Sequence, residues 1–261
     1  MTLPPDGAPD KISEQSPDTS LDKSSARVRA MFSAIAGRYD LLNHLLSANQ
    51  DVRWRRRAVR LLTPRAGERI LDLCCGTGDL AFEILRRQAR CHITGADFAE
   101  PMLEIAKSKV QSPKSKGSKS PSPQIEFMWA DALNLPFADA SFDAVTVAFG
   151  VRNFEDTAAG LREMRRVLRP GGRALILEFM RPTSFFLRYV FGLFFKGILP
   201  RIGRLISRHD SAYNYLPASV NEFYTRREFE PLLRECGFRD VRSFDYNFGG
   251  VSCFLAKKPK L

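Results

Sequence analysis

The sequence predicts an α/β fold: a doubly wound, mostly parallel sheet with an antiparallel hairpin at its C-terminal end and a helical lead-in before it. Three observations predict it. Short β-rich runs alternate with helix-patterned segments between residues 69 and 179, a glycine-bearing turn joins the first run to its helix, and the last two runs are separated by only a short turn. Parallel neighbours need a long crossover between them, whereas a tight turn forces antiparallel pairing.

The elements follow in order. Residues 1–25 are rich in Pro, Ser, Asp and Lys, lack the apolar run of a signal peptide and carry too many acids for a transit peptide, so a disordered tail is expected. "ARVRAMFSAIAGRYDLLNHLLS" (26–47) spaces its apolar residues for a helix, and "VRWRRRAVRLL" (52–62) continues until Thr63 and Pro64 break it. "RILDLC" (69–74) reads as a strand, 79–88 as a helix, "HITGAD" (92–97) as a strand and "EPMLEIAKSKV" (100–110) as a helix. "QSPKSKGSKSPSP" (111–123) has nothing to bury and is expected as a disordered basic insertion. The alternation resumes with "IEFMWA" (125–130), "FDAVTVAFG" (142–150), a helix over about 156–168 closed by "RPGG", and "RALILEF" (173–179). Thr225 and Glu228 have capping-box spacing before "FEPLLREC", and "FRDVRSFDYNF" (238–248) with "VSCFLAKK" (251–258) forms the final pair, for seven strands in all. Residues 26–261 are expected as one domain, with 26–62 as a helical lid.

Composition narrows the function classes. The formal net charge is +11, concentrated in an arginine cluster at 53–60 and a lysine cluster at 107–119, which by themselves suit a solvated face, nucleic acid or anionic lipid. The five cysteines form no C-x-x-C pair and the three histidines are scattered, so neither a zinc ribbon nor a disulfide framework is expected, no metal is assigned, and a reducing, cytoplasmic setting is inferred. "SFFLRYVFGLFFKGIL" (184–199) is the longest apolar stretch, but Arg188 and Lys196 interrupt it and it is too short to span a bilayer. It suits an interfacial patch or the wall of an apolar pocket.

"LDLCCGTGDLAFEI" (71–84) carries Gly76, Gly78 and Ala81 as G-x-G-x-x-A between a strand and a helix, with Asp97 at the end of the next strand. That context suits a nucleoside cofactor: glycines let the ligand approach the backbone, and the second-strand carboxylate accepts from ribose hydroxyls. The geometry fits NAD and S-adenosylmethionine equally. Charge separates them, because Asp79 at the helix start and Asp72 before it would repel a diphosphate but suit a sulfonium and an ammonium group. Cys74 and Cys75, at the last strand positions, are read as residues of packing or of incidental cofactor contact. Asp131 follows the third strand, at the sheet edge where ligands bind; it is placed near an adenine ring with the Ala132 N–H beside it, a turn or helix cap being the competing reading.

With these residues assembled, and with "DALNLPFADASFDAV" and "LREMRRVLRPGG", the chain resembles the class I, Rossmann-like S-adenosylmethionine-dependent methyltransferases. "MFSAIAGRYDLLNHLLS", "LDLCCGTGDL", "FGVRNFED", "LRPGGRALILEF", "LPRIG" and "YNYLPASV" make it similar, over about residues 27–258, to the quinone C-methyltransferases of ubiquinone and menaquinone biosynthesis. The resemblance implies methylation of a ring carbon of a polyprenylated hydroquinol, with S-adenosyl-L-methionine contacts at Asp72, Gly76, Thr77, Gly78, Asp97, Phe98, Asp131, Ala132 and Ala148. Many relatives have Ser at the last position, so a hydroxyl contact is missing here. Arg152 and Asn153 match the family's pair at the methyl-transfer point.

A ring carbon attacks well only when its neighbouring phenol is deprotonated. Because arginine is a poor base, Arg152 is expected to stabilise the phenolate or orient a water, and Asn153 to hold the ring oxygen. Tyr39 and Asp40 are expected to close over the site, with His44 as a candidate proton acceptor. The 183–222 region is then read as an apolar substrate-side insertion, with peripheral contact at the inner membrane face and a homodimer as open expectations. Nucleic acid is not an expected partner, since "FGVRN" is not the motif of exocyclic-amine methylation. Another acceptor on the same fold, such as a sterol, small phenol or RNA base, and a non-catalytic subunit of a lipid-biosynthesis complex are the competing readings.

Overall fold

In this computed structural model the described residues are 21–111, 124–183 and 210–260, with side chains described from 215 onward in the last segment. The 1–20 part of the expected tail, nearly all of the basic insertion and the 184–199 apolar stretch lie outside them.

The sheet has seven strands in the order β3-β2-β1-β4-β5-β7-β6. Strands β1 (Arg69–Leu73), β2 (His92–Asp97), β3 (Ile125–Trp129), β4 (Phe142–Ala148) and β5 (Leu168–Phe179) run parallel, while β6 (Arg239–Tyr246) and β7 (Val251–Lys257) pair antiparallel. The short connection over residues 247–250 leaves room for no other arrangement. Strand order reverses between β1 and β4, so a crevice opens beyond their C-terminal ends.

Helices α4 (Asp79–Arg87) and α3 (Gln50–Leu62) cover one face of the sheet, burying Trp54, Val59, Leu62, Leu80 and Ile84 against Ile70, Ile93 and Leu175. Helices α6 (Thr157–Val167) and α8 (Arg226–Glu235) cover the other, where Leu161, Met164, Phe229 and Leu233 meet Val145, Ile176 and Phe254. Each such side chain contributes roughly 1.5–3 kcal/mol by leaving water. Helix α5 (Glu100–Gln111) packs Met102 and its neighbour Ala99 on Ala36. Asp156 caps α6 by accepting from the Ala159 N–H at 2.9 Å, and the Thr225/Glu228 capping box is present at α8, as its spacing predicts.

Three boundaries differ from expectation. The 26–47 stretch is two helices, α1 (Ser25–Ile35) and α2 (Tyr39–Leu46), parted by a 3₁₀ turn at Ala36–Arg38, where Gly37 weakens a continuous helix. Strand β5 begins at Leu168, through "RPGG", with a register shift against β4 and Gly171 at φ +78° absorbing the extra residues. The described residues also reach into the expected tail: the Leu21 N–H donates to both carboxylate oxygens of Glu222 at 3.0 and 3.2 Å, at the end of α7 (Asp210–Glu222).

Candidate active site

The glycine turn is built by backbone geometry. Past Leu73 the chain takes positive φ at Cys74, Gly76 and Gly78, with the Gly78 N–H donating to the Cys75 carbonyl at 2.8 Å and the Cys75 N–H to the Ala96 carbonyl at 3.1 Å. Gly78 has no substitute: a Cβ there would lie 2.9 Å from both Phe127 and Phe82, at φ +86°. Asp97, at the tip of β2, fixes the turn by accepting the Gly76 N–H on Oδ2 at 2.8 Å and the Ala99 N–H on Oδ1 at 2.9 Å. Burial pushes its pKa up, and the N–H bonds from Ala99, Gly76 and Phe98 oppose that rise. Each carboxylate oxygen keeps acceptor capacity for a further donor.

The turn borders a cleft of about 750 Å³, counting its open mouth. Its lining gathers Gly76, Asp97 and Phe98 from the turn and the end of β2, Asp131, Ala132 and Leu133 from beyond β3, and Ala148, Phe149 and Asn153 from the end of β4 and the turn after it. Phe32 and Tyr39 of the lead-in roof it, the Tyr39 ring lying 3.8 Å from where a Gly76 Cβ would stand. Burial raises the Tyr39 hydroxyl pKa. Asp131 also closes its own turn, accepting the Leu133 N–H at 2.9 Å, so the turn reading and the position at the cleft hold together.

Four predicted site residues are not among those that line the cleft. Asp72 is 1% exposed, in register with Thr146 of β4, whose hydroxyl donates to Oδ1 at 2.7 Å; Oδ2 has no partner, and burial pushes the pKa up to about 7. It braces β1 against β4 through Thr146 and is not among the residues that line the cleft. Thr77 is 2% exposed and points toward the lid, its hydroxyl donating to Asp40 at 2.5 Å. Gly78 acts through the turn alone, and Arg152 is committed elsewhere, as described below.

The carboxylate of Asp79 is also spoken for. It pairs with Arg55 of α3 and Lys109 of α5, each at 3.0 Å, and Lys109 binds Asp40 at 2.8 Å as well. The repulsion of a diphosphate by Asp79 and Asp72 therefore does not operate as the sequence suggested: one charge is matched and the other carboxyl is buried with a raised pKa. His44 faces Asp51 at 2.8 Å, away from the cleft lining. Ligand atoms of His44, Asp51 and Asp79 lie within 4.8 Å of one another, but the Arg55 guanidinium touches both carboxylates and already supplies the positive charge a metal would bring. Cys74 and Cys75 are free thiols, and burial beside Asp97 and Asp72 raises both pKa values well above the ordinary range, so neither is a nucleophile at neutral pH. Cys74 packs under Gly150, where a Cβ would come within 2.5 Å of its own.

Beyond β4, the 3₁₀ turn Val151–Asn153 is held by a buried ion pair. Arg152 Nη1 donates to Glu178 Oε1 at 2.9 Å and to the Phe149 carbonyl, while Glu178 Oε2 accepts the Arg152 N–H at 3.2 Å. Arg152 is 6% exposed and Glu178 fully buried, and the Arg152 guanidinium lies 5.7 Å from the Phe179 ring centre. Arg152 thus shapes the turn that presents Asn153. Tyr215 of α7 donates its hydroxyl to Asn153 Oδ1 at 3.1 Å, and the Asn153 amide nitrogen donates to the Phe149 carbonyl at 3.4 Å, which leaves its second N–H for another acceptor. Sequence reasoning missed Glu178, Tyr215 and Lys23. An acid within the apolar run "LILEF" was a usable signal for Glu178, while nothing local marks the other two.

The fit to S-adenosylmethionine rests on the chain itself: a glycine turn that excludes a Cβ at Gly78, a carboxylate with free acceptor capacity at the end of β2, and Asp131 and Ala132 in the lining of the same cleft. Comparisons with known proteins agree. Among solved structures, a possible histamine N-methyltransferase from Thermotoga maritima aligns at TM-score 0.61 and 20% identity over 88% of this chain and 99% of that one, a likeness of fold. A demethylmenaquinone methyltransferase of Thermus thermophilus is 46% identical over 88% of this chain and its own full length. A ubiquinone/menaquinone biosynthesis C-methyltransferase of Geobacter sulfurreducens is 44% identical over 91% of each. A family model matches residues 20–258, almost the whole length over which fold and cleft have been traced, and the chain belongs to the ubiE/COQ5 methyltransferase family.

Proposed function

We propose that this protein methylates a ring carbon of a polyprenylated hydroquinol with S-adenosyl-L-methionine, as a step of menaquinone or ubiquinone biosynthesis. The observation that carries the reading is one cleft lined by Gly76 of the glycine turn, Asp97, Asp131 and Asn153, in a chain of this family. When bound, the cofactor supplies the methyl group as a sulfonium.

The chain's own residues then divide the work. Asp97 accepts from the ribose hydroxyls, Asp131 and the Ala132 N–H take the adenine edge, and Phe98 lines the same cleft. With Oδ1 taken by Tyr215, Asn153 offers an N–H to the ring oxygen of the acceptor, which favours its anionic form. Arg152 and Glu178 hold that amide in place from behind, so Arg152 is a positioning residue in this account. Tyr39 and Phe32 exclude water from above. Among the described residues no helix is long and apolar enough to cross a membrane, and a greasy substrate is best met by peripheral contact at the membrane surface.

The test is direct. Purified protein is incubated with methyl-labelled S-adenosylmethionine and, in separate vessels, demethylmenaquinol, a methoxy-polyprenyl-benzoquinol and bulk RNA. Label in either quinol supports the reading; label in RNA alone, or in none, contradicts it.

A further inference from the structure

The charge inventory of the cleft is lopsided. Asp97, Asp131 and Glu155 bring three carboxylates to its lining, and Lys23 is the one cationic side chain among the described lining residues. Arg152, the arginine nearest in sequence to Asn153, is spent on Glu178 and the Phe149 carbonyl. We propose that Lys23 is a catalytic residue: the cation that, with Asn153, holds the ring oxygen of the acceptor in the cleft.

Placement supports this. The Leu21 N–H is tied to both oxygens of Glu222 at the end of α7, and the same helix carries Tyr215, which binds Asn153. The strap of residues 21–25 is therefore anchored to the element that positions Asn153, and Lys23 and Ser25 reach the cleft lining from it. Among the described residues no carboxylate forms an ion pair with the Lys23 ammonium. Burial lowers its pKa, Glu222 works against that shift and the field of Arg152 adds to it, so the ammonium gains from an anionic neighbour.

In the step itself the phenol O–H bond breaks, its electron pair stays on oxygen and its proton leaves to water. The ammonium and the Asn153 N–H then hold the phenolate, and the ring carbon becomes nucleophilic. This inference rests on the quinol reading above. An anionic oxygen in this cleft has two sources, the acceptor ring and the carboxylate of the cofactor's methionyl group. The ring is favoured, because Lys23 is carried by the strap that Leu21 ties to α7, the helix whose Tyr215 binds Asn153.

The experiment uses the full chain, labelled S-adenosylmethionine and both quinols, with Lys23→Met, Lys23→Arg and Lys23→Ala variants and calorimetry of S-adenosylhomocysteine. Lys23→Met is expected to lose at least about tenfold in kcat, Lys23→Arg to retain most of it, and added ethylamine to restore part of the activity of Lys23→Ala, with product-cofactor affinity within about twofold of wild type in each. Unchanged kcat in Lys23→Met overturns the proposal, as does a loss of S-adenosylhomocysteine affinity that matches the loss of kcat, which would assign the cation to the cofactor carboxylate. Failure of the wild type to label either quinol would instead overturn the quinol reading on which it rests.

Discussion

Replacing Asp72 by Asn should make the protein more stable at neutral pH, and the size of the gain follows from the buried carboxyl. Its pKa stands at about 7 in the folded chain against 3.8 in a model peptide, because burial at 1% exposure disfavours the charged form more than the Thr146 hydroxyl favours it. A folded pKa above the unfolded one means that the native state binds the proton more tightly, so the associated stability is complete below about pH 3.8 and is lost as pH rises through about 7. Three units at 1.36 kcal/mol each amount to about 4 kcal/mol. Asn mimics the protonated acid and titrates nowhere in this range. Urea unfolding followed by circular dichroism from pH 4 to pH 8 should therefore show the stability difference between Asp72→Asn and wild type growing toward about 4 kcal/mol in favour of the variant. S-adenosylhomocysteine affinity should stay within a few-fold, since Asp72 is not among the residues that line the cleft. A pH-independent difference, or one that grows in favour of wild type, would refute the reasoning.

Other consequences are equally open to measurement. Arg152→Met strands a fully buried Glu178 and should cost about 3–5 kcal/mol in chemical denaturation, whereas the double variant Arg152→Met with Glu178→Leu should recover most of that stability without recovering turnover; strictly additive losses would show that the two do not act as a pair. Gly78→Ala meets Phe127 and Phe82 at 2.9 Å and sits at φ +86°, so calorimetry should show at least about a tenfold loss of S-adenosylhomocysteine affinity; wild-type affinity would mean that the turn is not the cofactor cradle. Asp97→Ala removes acceptors from the Gly76 and Ala99 N–H groups as well as from a ribose, and each charge-assisted bond is worth about 1.5–3 kcal/mol. Cofactor binding should fall by about two orders of magnitude, and a variant that binds normally would remove Asp97 from the site.

Much of the fold is legible because its signals are local. The parallel strands announce themselves as short apolar runs between helices, and "HITGAD" is a strand at the positions the sequence indicates. The start of β5 is hidden because "RPGG" carries turn chemistry, yet in the fold it continues the strand through a bulge. In the cleft, Gly76, Asp97, Phe98, Asp131, Ala132 and Asn153 fall on the lining, since the C-terminal ends of parallel strands gather at one sheet edge. Charge pairing is not legible in this way. Asp79 looks unmatched in sequence, but Arg55 and Lys109 reach it from two other helices; Arg152 looks free, but Glu178 meets it from the next strand. Asp72 lies in the same apolar run as the turn, and only the register of β1 against β4 shows that it meets Thr146.

The central claim is that methyl transfer ends on a quinol ring carbon. The most direct measurement is mass spectrometry of the lipid product after incubation of the protein with methyl-labelled S-adenosylmethionine and a reduced polyprenyl quinol. The account predicts a single labelled methyl on a ring carbon of demethylmenaquinol or of the methoxy-benzoquinol, together with one S-adenosylhomocysteine released per product. Label on a ring oxygen, or its absence from both quinols while another acceptor is methylated, would contradict it.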